Sequence, residues 1–311
     1  MGNLEQTAVI GAGVIGASWT ALFLAAGKSV AVSDPAHGAE AQVRAYVDRA
    51  WPVLEQLGLV KDGAPGELRF TDDPAEAVAG AGFIQESVPE RLDIKHALYA
   101  RIEPALAPDA VVASSASGLT LTEMQGGWRD PGALVLGHPF NPPHLIPLVE
   151  IMGNDRTRPG AVDMADRFYT GVGKVTIRVN KEVPGHVANR LQAALWREAI
   201  HLVNEGVASV EDVDTAVWAG PGLRWAAMGP TALFHLGAGN GGLAEFCARY
   251  TDSFNCWWDD MGTPHLDSQT AERLVDGMQK AVAGADTDSL TRKRDALIAA
   301  IQTATTPMRK G

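Results

Sequence analysis

The chain has 311 residues, 46% of them hydrophobic and 20% charged, which excludes a disordered chain and leaves room for two domains. Lys and Arg total 26 against 37 Asp and Glu, and the net charge of −11 opposes phosphate backbones and anionic lipid, so neither nucleic acid nor a membrane is an expected partner. No run approaches the ~18 apolar residues of a membrane span. The first strand signal begins near Thr7, which leaves no room for a signal peptide, and Gln6 stands where myristoylation of Gly2 would need Ser or Thr. A cytoplasmic protein is expected. The two cysteines, Cys247 and Cys256, are too few for a disulfide framework and are not spaced for zinc, so both read as reduced and packed, with no metal site.

Thr7-Ala-Val-Ile is a short apolar run ending in glycine, and Ser18 to Ala26 then reads as a helix stopped by Gly27. A second strand at Ser29 to Ser33 closes in Asp34-Pro35, and a polar helix follows from Gly38 to about Leu57. Further strands are expected at Gly82-Phe-Ile-Gln, Ala110-Val-Val-Ala-Ser, Gly132-Ala-Leu-Val-Leu-Gly and Lys174-Val-Thr-Ile-Arg-Val, with helical stretches between most of them. This alternation predicts an α/β fold, a Rossmann-type doubly wound parallel sheet.

After Val179 the strand signals stop, and a boundary at 182/183 separates the α/β domain from an all-helical C-terminal domain. From Asn189 to Asn204, Leu191, Leu195, Leu202 and Val203 recur at helical spacing with Ala194 and Ala199, which predicts a buried helix. Ser209 with Asp212 opens the next helix, which runs to Gly220-Pro221-Gly222, and more helices are expected over Pro230 to Tyr250 and Thr270 to Thr303.

Gly11-Ala-Gly13-Val14-Ile15-Gly16 stands between a strand and a helix, where a dinucleotide-binding turn belongs. Gly11 permits the tight turn, Gly13 lets a pyrophosphate approach the backbone, Gly16 lets helix pack on strand, Val14 and Ile15 are the remaining cofactor-binding positions of the turn, and the helix N-terminus faces the phosphates. Eighteen residues past Gly16, Asp34 closes the second strand, where its carboxylate can accept from both ribose hydroxyls. That favours NAD. It disfavours NADP, because no arginine directly follows Asp34 to neutralise the extra phosphate.

Ligands on such sheets lie beyond the carboxyl ends of the strands, so the polar residues there are candidates. Ser117 follows one apolar strand, His138 and Asn141 follow the next, and Glu150 stands inside an apolar run twelve residues after His138. A buried glutamate needs a partner, and an imidazole held by it could shuttle a proton near neutral pH. By residue type alone Ser117 reads equally well as a turn hydroxyl, Asn141 as a turn former before proline and Asn189 as a helix N-terminal residue.

In order, Gly11 to Gly16, Glu86-Ser-Val-Pro-Glu90 with Lys95, Ser114 to Leu119, Gly137-His138-Pro-Phe-Asn141-Pro, Leu148-Val-Glu150 and Asn189-Arg190-Leu191 resemble the 3-hydroxyacyl-CoA dehydrogenase superfamily over nearly the whole chain. The resemblance implies that His138 is the catalytic acid/base and Glu150 its partner. It also implies that Ser117, Asn141 and Asn189 bind the substrate oxygen and the nicotinamide end of NAD, that Glu90 and Lys95 make further cofactor contacts, and that the protein is a homodimer. Trp218-Ala-Gly-Pro-Gly-Leu-Arg224-Trp225 looks like the branch of L-carnitine and L-gulonate 3-dehydrogenases, with Arg224 and Trp225 as substrate-binding residues. A guanidinium suits bidentate capture of a free carboxylate, although Arg224 reads also as an interdomain salt-bridge residue. Between Ala36 and Phe70, Arg44, Arg49, Lys61 and Arg69 face Glu40, Asp48, Glu55, Asp62 and Glu67, so nothing in that arm attracts the phosphates of coenzyme A. A quaternary ammonium, as in carnitine, needs aromatic faces, and Trp196, Trp225, Phe234, Trp257 and Trp258 are available. The expected reaction is NAD-dependent interconversion of a small 3-hydroxy acid and its 3-oxo acid. An acyl-CoA or polyketide-like ketoreductase and a non-enzymatic NAD-binding role are the alternatives.

Overall fold

The computed structural model describes residues 4–61 and 66–309, except for the side chains of 307–309; Gly2 and Asp62 lie outside the described residues. The chain divides into two compact units, Met1–Arg190 with Ile298–Thr303, and Leu191–Leu297 with Ala304–Gly311.

The first unit is built on β1 (Gln6–Ile10), α1 (Val14–Ala25), β2 (Ser29–Ser33), α2 (Ala39–Gln56), β3 (Leu68–Thr71), α3 (Pro74–Val78), β4 (Phe83–Glu86), α4 (Leu92–Ile102), β5 (Val111–Ser114), α5 (Leu121–Gln125), β6 (Leu134–Pro139), β7 (Leu148–Met152), α6 (Ala161–Gly171) and β8 (Val175–Arg178). The strands form one sheet in the order β3-β2-β1-β4-β5-β6-β7-β8. All neighbours are parallel except β6 and β7, which run antiparallel, so the last two strands point against the first six. Both faces are covered, and both are apolar, as a parallel sheet requires. Phe83, Val111, Ala113 and Val135 face one cluster with Trp19, Phe23 and Phe168, while Ile84, Val112, Leu134 and Leu136 face another with Tyr99, Ile102 and Met124. Stacking of Phe83 on Phe168, with ring centroids 3.8 Å apart, fixes α6 against the sheet.

Two strands differ from expectation. β3 is four residues at the sheet edge, three half-buried and Arg69 exposed, too short and mixed to carry a strand signal, and β7 is the apolar run that holds Glu150. The first helix begins at Val14, four residues before the expected Ser18.

The second unit continues α7 (Ala188–Asn204) and adds α8 (Val210–Ala219), α9 (Pro221–Ala227), α10 (Pro230–Gly237), α11 (Gly242–Asp260), α12 (Ser268–Val282) and α13 (Thr287–Arg309). The helical stretch from 230 to 250 divides at Gly239–Gly241, and that from 270 to 303 after Val282, where Ala283 and Gly284 take left-handed backbone that no helix continues through. The expectation of a buried α7 is also corrected, because Leu191 is 66% exposed and only Ile200 of the helix is buried. Cys247 and Cys256 are free and exposed on α11, not packed. Among the described residues no helix is long and apolar enough to cross a membrane.

Candidate active site

In strand order β3-β2-β1-β4-β5-β6, the switch point lies between β1 and β4, and the glycine turn and the loop after β4 meet there. Gly11 takes φ +94°, and a Cβ at that position would lie 2.6 Å from the Ser87 carbonyl oxygen. At Gly16 a Cβ would collide with the Gly11 carbonyl oxygen. Only glycine fits either place. Around Gly13, by contrast, a Cβ would meet nothing within 4 Å, and Gly13 caps α1 with no side-chain hydrogen bond. The first amides of α1 are therefore left to an anion, and the neighbouring Val14 side chain is exposed.

Asp34 follows β2, and its two oxygens accept the amides of Ala12 at 2.7 Å and Ala36 at 2.8 Å. One bond braces the glycine turn against the acid. A carboxylate has about four acceptor sites, so two stay available for the ribose hydroxyls of a dinucleotide. Open space at Gly13, the uncapped helix start and this braced acid fit NAD.

The strand registry brings the acid–base pair together. With β6 and β7 antiparallel, His138 lies directly opposite Glu150, and Nδ1 of His138 is 2.8 Å from Oε2 of Glu150. A carboxylate only accepts, so Nδ1 carries the proton and Nε2 presents its lone pair. The Ser117 hydroxyl, 3.1 Å away, donates to that nitrogen. Both members of the pair are buried. Burial alone would raise the Glu150 pKa, but hydrogen bonds from His138 and from the amides of Ala188 and Val187 hold it below the ordinary carboxylate value. Those amides meet Oε1 at 3.0 and 2.8 Å, so Glu150 also caps the start of α7, which carries the half-buried Asn189.

The other expected cofactor contacts behave differently. The carboxylate of Glu90 accepts the amides of Gly118 and Leu119 (the latter at 2.9 Å), and so ties down the loop that bears Ser117. Lys95 is 1% exposed, with its ammonium 2.6 and 2.7 Å from the two oxygens of buried Glu86, where Tyr99 and Ser114 also donate. In this arrangement the pair braces the end of β4. Asn141 stands exposed beyond β6, followed by a cis peptide to Pro142. Its loop is fixed from two sides, as Ser18 of α1 is bonded to His144 and the Lys174 ammonium donates to the carbonyls of Pro143 and Ile146. In the second unit, Arg224 and Trp225 are exposed on α9, and no salt bridge among the described residues includes Arg224. Phe234 and Trp258, with Phe246, Tyr250 and Phe254, line a cleft of about 300 Å³ between α10 and α11. Trp196, Trp225 and Trp257 do not line it.

Sequence reasoning missed His186, Lys174 and the Glu86–Lys95 pair. His186 is buried with its ring centroid 5.0 Å from that of His138. Its only outward sign is a histidine directly after Pro184-Gly185, which by itself reads as a turn.

The profile of the 3-hydroxyacyl-CoA dehydrogenase NAD binding domain matches residues 6–183, and that of the C-terminal domain of the same family matches residues 185–275. The chain belongs to the 3-hydroxyacyl-CoA dehydrogenase family. As a family member it is an NAD-dependent dehydrogenase acting on a 3-hydroxy substrate. Among relatives of this 3-hydroxyacyl-CoA dehydrogenase family protein are an L-carnitine dehydrogenase of Nocardiopsis dassonvillei, 47% identical over 97% of this chain and 92% of the relative, and one of Streptomyces coelicolor, 46% identical over 97% and 95%. A solved structure of a 5-formyl-3-hydroxy-2-methylpyridine 4-carboxylic acid 5-dehydrogenase, an NAD+-dependent dismutase, shares the fold with a TM-score of 0.84 at 29% identity, covering 98% of this chain and 99% of that one.

Proposed function

We propose that this protein oxidises L-carnitine at its secondary alcohol, and the observation that carries the proposal is 47% identity to an L-carnitine dehydrogenase over 97% of the chain. When bound, NAD supplies the hydride acceptor for the carbon that bears the hydroxyl. The residues of the chain manage the proton and the charge. Nε2 of His138 takes the hydroxyl proton, and Glu150, already bonded to Nδ1, stabilises the imidazolium that results. Ser117 and Asn189 hydrogen-bond the oxygen as its charge changes, a role in which one lost donor costs ~100-fold or more. Asn141 serves the nicotinamide end of the cofactor, while the glycine turn with Val14, Ile15 and Asp34 serves the phosphates and the ribose. Arg224, beside Trp225, anchors the substrate carboxylate, and the lack of an ion pair for it among the described residues supports that role over a structural one. The aromatic cleft of Phe234 and Trp258 supports a quaternary ammonium by cation–π attraction.

Two further readings go with the proposal. Exposed Trp196, Trp218, Trp257, Trp258 and Leu191 in the helical unit support a homodimer that covers them. Two exposed free thiols support the reducing cytoplasm. The deciding experiment gives the purified protein NAD with L-carnitine, L-gulonate, 3-hydroxybutyrate or 3-hydroxybutyryl-CoA and follows NADH fluorescence. L-carnitine is expected to give the highest kcat/KM. A lead for the CoA ester would overturn the proposal.

A further inference from the structure

His186 has no part in the chemistry above, yet it touches both supports of the acid–base pair. In the turn Pro184-Gly185-His186 two consecutive residues take left-handed backbone, Gly185 at φ +76° and His186 at φ +50°. Glycine tolerates this freely, while a histidine there is strained. The imidazole is 3% exposed, and its Nδ1 is buried without a partner among the described residues. Strained backbone and an orphaned ring nitrogen both lower stability, so a residue that combines them beside a reaction centre is held there for another reason.

Its contacts identify that reason. Nε2 lies 3.2 Å from the carbonyl oxygen of Ala116, which can only accept, so Nε2 carries the proton. Ala116 is bonded directly to Ser117, whose hydroxyl faces Nε2 of His138. The next two residues of the turn, Val187 and Ala188, donate their amides to Glu150, which holds Nδ1 of the same ring. Between these supports the two imidazoles pack with centroids 5.0 Å apart at 54°. We propose that His186 is a positioning residue that links the Ser117 loop to the turn gripping Glu150, so that both ring nitrogens of His138 are held in working geometry at once. Burial keeps the pKa of His186 below the ordinary histidine value, with His138, Glu150 and Glu90 as the charged or titratable groups around it, so the link is made by a neutral ring. The inference rests on reading His138 and Glu150 as the proton-transferring pair.

Three variants test it. His186→Gln keeps an N–H near the place of Nε2, His186→Phe keeps the ring volume without the donor, and His186→Gly suits the left-handed backbone but removes the ring. The measurements are kcat and KM for L-carnitine with NAD, NADH affinity by fluorescence, and the melting temperature. His186→Phe and His186→Gly are expected to lower kcat by about 10–100-fold, the scale of a small misplacement of reacting groups, with NADH affinity unchanged. His186→Gly is expected to melt no lower than wild type, and His186→Gln to recover most of the kcat lost in His186→Phe. A merely structural histidine would give lower melting temperatures with kcat intact, and that result overturns the inference. Should His186→Gly not fold, equal kcat in the Phe and Gln variants overturns it as well. Absence of wild-type turnover with any of the 3-hydroxy acids sinks the reading of the pair itself, and this inference with it; wild-type turnover with unchanged variants sinks the inference alone.

Discussion

Replacing Glu150 by Gln separates the charge of the carboxylate from its shape. In the native chain one oxygen receives His138 Nδ1–H at 2.8 Å and the other receives two backbone amides at 2.8 and 3.0 Å, so all three incoming groups are donors. An amide offers only one accepting atom. If its oxygen meets the two backbone amides, its NH₂ faces Nδ1, the ring proton moves to Nε2, and the nitrogen that must take the substrate proton is already occupied. If its oxygen meets Nδ1, the NH₂ opposes two N–H groups and the turn before α7 loosens. The first arrangement forfeits a charge-assisted bond of about 1.5–3 kcal/mol, and either removes an attraction to the developing imidazolium of a few kcal/mol at most at short range. A total of about 3–6 kcal/mol corresponds to ~10²–10⁴-fold in kcat. The assay is steady-state turnover of L-carnitine by NADH fluorescence, with NADH affinity measured separately and expected unchanged because Asp34 and the glycine turn are untouched. The folded-state pKa of Glu150 is lowered, so its stabilisation is fully present above the ordinary carboxylate value of about 4.3 and is lost as pH falls through the folded value. The melting-temperature gap between wild type and Glu150→Gln should therefore close in acid. A folded variant that loses less than about tenfold in kcat, or about 1.4 kcal/mol, would refute the assignment.

Other perturbations address the remaining parts of the site. Asp34→Ala should weaken NAD by about 10–100-fold, the scale of one charge-assisted bond, and narrow the preference over NADP; an unchanged kcat/KM ratio between the two cofactors contradicts the ribose assignment. Arg224→Leu should raise KM for L-carnitine by a similar factor of about 10–100 and leave a carnitine methyl ester much less affected, whereas equal effects would mark Arg224 as structural. Burial pushes the Lys174 ammonium down to about 7, while in the unfolded chain it stays protonated to about 10.4. Between those values the unfolded chain binds the extra proton, so stability rises with pH by at most about 1.4 kcal/mol per unit. Thermal melts of wild type and Lys174→Met from pH 7 to 9 should diverge, with wild type gaining; a constant difference would show that the ammonium stays charged in the fold.

The parts of the fold that were legible in the sequence are those whose cause is local. The glycine turn could be read because Gly11 and Gly16 are each forced by a backbone atom a Cβ would strike, and because a strand and a helix flank them in sequence. The central strands could be read because both their faces are apolar. Elements whose reason lies elsewhere were less visible. The periodicity of α7 is present, but a period reports which face is apolar and not what covers it, so the sequence could not show that Leu191 is exposed in the single chain. The partner of Lys95 is hidden for a similar reason, since nothing within four residues of it reveals that Glu86, nine positions back on the end of a strand, encloses its ammonium.

The pairing of His138 with Glu150 lies between these cases. Counting twelve residues identified two candidates, but the count has a structural meaning only because β6 and β7 are antiparallel, with Leu136 opposite Met152 and Pro139 opposite Val149. In such a ladder the side-chain period is two, so a one-residue change in the Phe140–Pro147 connection that slipped the register would turn the Glu150 side chain to the opposite face. The stiff connection therefore belongs to the site as much as the pair does. The bonds of His144 to Ser18 and the Lys174 ammonium on two of its carbonyls hold it at one length and one path. His186 completes the same logic from the far side, since the amides that follow it fix the carboxylate which the strand register has placed. A histidine and a glutamate at the same spacing on parallel strands, or across a loose loop, would be two unrelated side chains.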